Sequence, residues 1–270
     1  MSRSETSALR PTSRAPNLSE RLWNKVPEVT IYFWIIKILA TTVGETASDL
    51  LAMRLDLGLT LTSWIMTAVF LVFLIIQVRS KAYITSLYWV TVVLISVVGT
   101  LISDNLVDGM GISLVTTTIA FSIILAIVFA SWFWVERTLS IHSIVTRRRE
   151  WFYWAAILFT FALGTSAGDL VAEYLDLGYS NAALLFGGLI AAVAIAHLVF
   201  KQDAILCFWI AYILTRPLGA SIGDFMAKPK IAGGLGWGTV TTSLVFMAAI
   251  AALVLYLTAT KVDRIEATPA

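Results

Sequence analysis

The chain is poor in the residues that most soluble enzymes and metalloproteins depend on. It has one cysteine and two histidines, and Asp, Glu, Lys and Arg together make up only 13% of its 270 residues. A lone thiol, Cys207, excludes an intramolecular disulfide. The scarcity of Cys and His leaves no ligand spacing of the zinc or copper kind. No Gly-rich phosphate loop and no nucleophile beside a base stand out, so no enzymatic activity is expected. The formal charge of +2 is gathered in a few short segments and does not suggest nucleic acid as a partner. The first 25 residues are polar and lack the apolar core of a secretory signal, which predicts a disordered cytoplasmic tail for 1–25 and a second short tail at 261–270.

What the chain has instead is apolar residues, at 59% with a mean hydropathy of +0.85, against the roughly 45–50% of soluble domains. They form eight runs, from Val29 to Leu51, Leu59 to Val78, Ile84 to Ile102, Ile112 to Val135, Trp151 to Ala172, Asn181 to Phe200, Ala204 to Phe225 and Trp237 to Thr260. Each is close to the ~20 residues a helix needs to cross ~30 Å of hydrocarbon. The expectation is an all-α integral membrane protein of eight transmembrane helices in a single domain over 26–260. Gly58-Leu59-Thr60, Gly111-Ile112-Ser113 and Gly178-Tyr179-Ser180 each offer a glycine to end one helix and a hydroxyl to cap the next. Gly236-Trp237-Gly238 fills the fourth equivalent place.

Lys and Arg collect in the N-terminal tail, in the second connection (Arg79, Lys81) and in the fourth (Arg137, Arg147, Arg148, Arg149), while the first, third and fifth carry mainly acids, Asp56, Asp108, Glu173 and Asp176, with Arg54 the one base among them. Short cytoplasmic loops retain basic residues, so both termini are expected in the cytoplasm. Lys228 and Lys230 in the seventh connection break that pattern.

The strongest signal is self-similarity. Trp34, Trp89, Trp154 and Trp209 open the odd-numbered helices, and ten residues after each stands a glycine, at Gly44, Gly99, Gly164 and Gly219. Fifteen residues after each stands an aspartate, at Asp49, Asp104, Asp169 and Asp224. The two-helix units cover about 29–80, 84–136, 151–201 and 204–260, and the offset of 120 between the first pair and the second indicates a duplicated pair. Two crossings per unit make the repeats parallel, with a symmetry axis along the membrane normal. Four odd helices around one axis and two two-fold-related sites both satisfy this. The glycines are expected to let helices approach closely, as small residues do in membranes.

A four-residue step places one stripe on each odd helix. The stripes are Lys37, Thr41, Glu45, Asp49; Val92, Ser96, Thr100, Asp104; Ile157, Phe161, Thr165, Asp169; and Tyr212, Arg216, Ala220, Asp224. If the tryptophans mark the cytoplasmic interface, Glu45 lies about 16 Å and the aspartates about 22 Å into the membrane. Charged groups at that depth face protein or water and have partners. Five acids, Glu45, Asp49, Asp104, Asp169 and Asp224, stand against two bases, Lys37 and Arg216, so protons or a bound cation must supply the balance. Oxygen-only ligands, with Thr41, Ser48, Ser103 and Thr165 as weaker contributors, suit hard cations of the Mg²⁺, Ca²⁺ or Mn²⁺ class. Lys37 and Arg216 are expected as counter-ions, and Pro217 is expected to kink helix seven. Asp169 and Asp224, nearer the boundary and flanked by Gly168 and Gly223, could equally act as interhelical glue, whereas Asp49 with Glu45 one turn below it is read as functional.

The stretch from Lys25 to Asp49, KVPEVTIYFWIIKILATTVGETASD, together with the repeated Trp and Gly-x4-Asp pattern, resembles a bacterial membrane family built of four tandem copies of a repeat of unknown function. The resemblance covers Lys25 to about Thr260 and implies a bacterial inner-membrane location, with no established activity or ligand. The expected function is a cation transporter, for a divalent metal and open to proton coupling, with Glu45 and Asp49 at the centre of the site, Asp104, Asp169 and Asp224 contributing or gating, and Lys37 and Arg216 tuning charge. An acidic-ring channel and a scaffold or sensor whose acids pair with Lys37 and Arg216 are the alternatives. Lipid and a cation or proton are the expected partners, and a homo-oligomer is left open.

Overall fold

A computed structural model describes residues 24–54 and 57–263. Residues 1–23 and 264–270 of the expected tails, and Asp56 of the first connection, lie outside the described residues. The helices are α1 Ile31–Asp49, α2 Leu59–Arg79, α3 Thr85–Asp104, α4 Leu114–Glu136, α5 Arg147–Asp169, α6 Tyr179–Leu198, α7 Ala204–Ala227 and α8 Thr239–Thr260. Helices α2 to α8 are long and apolar enough to cross a membrane, which makes this a multi-pass membrane protein. Helix α1 differs from them in carrying Lys37, Glu45 and Asp49.

The helix starts follow the sequence only in part. Ser113 accepts from the Thr116 amide at 3.2 Å, as a hydroxyl cap should. At Gly58 and Gly178, however, glycine itself is the capping residue, with φ of +72° and +76°, a backbone region that a residue with a Cβ adopts at a cost. The hydroxyls expected to cap there, Thr60 and Ser180, fall inside α2 and α6.

The odd helices close a ring. Helix α1 packs against α3, α3 against α5, α5 against α7, and α7 against α1. Each even helix lies outside, on the odd helix of the following unit: α2 on α3, α4 on α5, α6 on α7, and α8 back on α1. Of the two symmetries the repeats permitted, the single four-membered ring is the one formed. The even helices turn Trp64, Ile119, Leu184 and Leu255 outward, as lipid-facing residues would be.

The repeated glycines bring the ring together. A Cβ on Gly44 would overlap Ser96 Oγ, one on Gly99 the Phe161 Cβ, one on Gly164 the Arg216 stem, and one on Gly219 the Thr41 Oγ1. In every case the obstructing side chain belongs to the next unit and sits seven residues after its tryptophan. The ring is therefore one knob-into-hole contact repeated four times and closed on itself. Helix α7 runs unbroken through Pro217, whose ring packs towards Gly164.

The tryptophans do not form the interfacial belt that the depth estimate assumed. Trp89, Trp154 and Trp209 are buried and join Phe33, Tyr88, Tyr153, Phe208 and Tyr212 in a network of ring contacts. They are the floor of the bundle. Beneath them the two described chain ends meet, with the Glu28 amide donating to the Asp263 carbonyl at 3.0 Å. Lys25 Nζ reaches Glu150 Oε2 at 2.7 Å and the Val78 carbonyl at 2.9 Å. The Tyr83 hydroxyl donates to Asp263 at 2.6 Å.

Candidate functional site

The four stripes face one another across the ring, so each step of four residues becomes a layer on the axis. Just above the tryptophan floor lie Lys37, Val92, Ile157 and Tyr212, none of them exposed. Lys37 was expected to balance the acids. It makes no ion pair among the described residues; its Nζ lies 4.0 Å from the Phe161 ring centre and 4.2 Å from that of Tyr212. Aromatic faces stabilise a cation through their quadrupole.

The next two layers are tied together by Arg216. Its Nη2 lies 2.8 Å from Glu45 Oε2 and 2.7 Å from Thr165 Oγ1, with Thr100 Oγ1 also in reach, so the two N–H groups of this one nitrogen are shared among three acceptors. One side chain from α7 thus grips α1, α3 and α5 at once, which fixes the ring at mid-depth. Glu45 and Arg216 are the counter-ion pair that the charge count anticipated. Thr100 was legible only as a stripe position. Threonine here replaces the glutamate of unit one, supplying an acceptor without adding a second charge.

Above them stand Asp49, Asp104, Asp169 and Asp224. One carboxylate oxygen each from Glu45, Asp169 and Asp224 lies within 4.8 Å of the others. A point therefore exists within about 2.8 Å of all three, close to the 2.0–2.6 Å at which Mg²⁺ and Ca²⁺ meet oxygen. Glu45 and Asp169 come from opposite sides of the ring and Asp224 from between them. Asp49 and Asp104 occupy the same layer as the aspartates of this trio but are not part of it. Two of the other expected oxygens are engaged elsewhere, Thr41 donating to Ile38 O at 2.6 Å and Thr215 O at 3.2 Å and Ser48 to Glu45 O at 2.8 Å, and Ser103 Oγ has no hydrogen bond among the described residues.

The aspartates are not used to fasten helices together. Among the described residues, the carboxylates of Asp49, Asp104 and Asp169 take no hydrogen bond or ion pair, and Asp224 takes only Lys228, at 3.6 Å. Each of the first three is the last α-helical residue before a five-residue π turn, Leu50–Arg54, Asn105–Gly109 and Leu170–Tyr174. Such turns widen the helix and recur at functional sites. Unit four lacks one, and its helix ends instead at Ala227 with Lys228 as its cap. Lys228 Nζ also meets Glu173 Oε1 at 3.2 Å. Burial works against that ammonium, but the Asp224 and Glu173 carboxylates outweigh it and raise its pKa above the usual lysine value. The sequence did carry a signal for Lys228, since it was a base where the charge pattern called for none.

The two histidines lie away from this centre. His142 faces Glu28 at 3.6 Å, and His197 Nδ1 meets the Gln202 carbonyl at 3.1 Å. Both line an apolar cavity of about 590 Å³ near the tryptophan end. Cys207 is buried in its wall.

A family model described as Repeat of Unknown Function (DUF347) matches the chain four times, at residues 32–83, 87–138, 152–203 and 207–263. No curated protein and no solved structure matches it.

Proposed function

From a chain that belongs to the four-repeat family of Repeat of Unknown Function (DUF347), we propose a membrane transporter for a hard divalent cation, bound by Glu45, Asp169 and Asp224. The observation that carries this reading is the convergence of three carboxylates on one point of the axis while the aspartates take no helix-fastening bonds. Uncompensated carboxylates deep in a membrane protein are costly. A cation relieves that cost, and Arg216 on Glu45 with Lys228 on Asp224 still leaves Asp169 without a counter-ion among the described residues.

The filled lower axis favours a carrier over a channel. Below Glu45 the axis holds Arg216, Phe161, Lys37 and Tyr212, all fully buried, and then the tryptophan floor. A channel needs a continuous path, whereas a carrier in one of its end states is closed on one side. In this reading the carboxylate end faces outward and the tryptophan end inward. Arg216 is the built-in counter-ion that holds Glu45 when no metal is bound. The scaffold reading expects the acids to pair with Lys37 and Arg216, and among the described residues the Glu45–Arg216 pair is the one of these that is made.

The test is metal titration of the detergent-purified full chain, using Mn²⁺, in wild type and in Asp169→Asn/Asp224→Asn. Loss of two of three charged ligands should weaken Mn²⁺ binding by at least about a hundredfold, more than the loss expected for an outer-shell partner alone. Binding that is equal in the two proteins removes the site. Glu45 is left intact in this test because its substitution would orphan Arg216.

A further inference from the structure

We propose that Lys228 is a tethered cation guarding the carboxylate site, holding Asp224 when no metal is bound and displaced when a divalent ion enters. The inference rests on the transport reading above and concerns how that site is regulated.

Lys228 stands at the end of the bundle where the distribution of basic residues called for none. Its Nζ bridges Glu173 Oε1 at 3.2 Å and Asp224 Oδ1 at 3.6 Å, and so joins the end of α7 to the π turn that follows α5. Asp224 is the one ring aspartate with a partner among the described residues, and it is also one of the three convergent ligands.

The backbone beneath Lys228 is fixed. Its amide donates to Asp224 O at 2.8 Å, and its carbonyl accepts from the Gly236 amide at 2.9 Å. A Cβ on Gly234 would strike that carbonyl, so the loop folds tightly against it. The side chain is freer: it is one-third exposed, and its ammonium sits 5.0 Å from the Tyr179 ring. A fixed backbone carrying the flexible four-carbon stem of a lysine suits a charge that must leave and return. The ring of Tyr179 and the carboxylate of Glu173 give it somewhere to rest when Asp224 is taken. The sequence of unit four departs from the other three here, with Lys228-Pro229 standing where they have a π turn.

A guard that competes with the metal lowers apparent affinity, so its removal has a defined sign. Lys228→Met is expected to bind Mn²⁺ about tenfold more tightly than wild type, the scale of a close charge pair. The gain should shrink as salt rises, because the guard is partly exposed. Lys228→Arg keeps the charge and should bind like wild type. Lys230→Met, which removes an exposed charge from the same loop, should bind within about twofold of wild type, since surface charges contribute little.

Calorimetric titration of these variants and of Asp169→Asn/Asp224→Asn separates the two ideas. If wild type binds in a carboxylate-dependent way and Lys228→Met binds equally or more weakly, the guard is wrong and the site stands. If Lys230→Met gains as much as Lys228→Met, the effect is general charge and the guard is again wrong. If wild type and the double aspartate variant behave alike, the site itself is wrong and the guard falls with it.

Discussion

Replacing Arg216 with methionine is expected to destabilise the protein by about 3–5 kcal/mol, because it leaves Glu45 charged, buried and without its partner. Arg216 is fully buried and its guanidinium is shared among Glu45, Thr100 and Thr165. The ring therefore loses contacts from α7 to three other helices at a stroke. Thermal unfolding in detergent should show a clear drop for Arg216→Met. The double variant Glu45→Gln/Arg216→Met should recover much of it, since replacing both partners of a buried pair is often neutral while removing one is not. An Arg216→Met protein that unfolds like wild type would mean that this pair does not hold the ring, and would also remove the reason for reading Arg216 as a resident counter-ion.

The second large effect concerns closure of the ring. Gly219→Ala places a methyl against Thr41, whose Cβ would lie 2.6 Å away, and against the Thr42 backbone nitrogen at 3.0 Å. Backbone cannot yield as a flexible side chain can, so α7 must move off α1. Overpacking of this kind costs about 1–3 kcal/mol, and here it falls on the seam that joins the last unit to the first. Gly188→Ala in α6 is the control, since nothing lies within 4 Å of its added methyl. It should melt at or slightly above wild type, because alanine is the better helix former. Gly219→Ala/Thr41→Gly, which exchanges knob for hole, should recover part of the loss. Equal melting of Gly219→Ala and Gly188→Ala would show that the repeated glycines are not where the units lock.

The two expectations have a common basis. The four copies of the aspartate cannot be what holds the four helices together, since like charges on an axis repel. The glycine seam, being neutral, is retained in every unit. Below the four shared aspartates the stripe differs from unit to unit: glutamate in the first, arginine in the last, and threonine, serine or phenylalanine between. The symmetric contact supplies the architecture, and the asymmetric layer supplies a centre with sign and direction.

By itself the sequence determined the solvent, the eight helices, the four copies and the stripe that carries the acids. Those features are one-dimensional: a run of apolar residues has a length, and a repeat has an offset. It determined the family as well, because the Trp and Gly-x4-Asp spacing is the repeat. Which residues meet was decided only in three dimensions. Glu45 and Asp169 are 124 positions apart and come from opposite walls of the ring, and no helical period relates one wall to another. Lys37 and Arg216 looked alike as intramembrane bases, yet one lies against aromatic rings and the other on a carboxylate. The difference comes from the neighbouring helix at each depth, which presents Phe161 to the one and threonine hydroxyls to the other. The tryptophans looked like an interface belt because a single helix cannot reveal which of its faces another helix will cover.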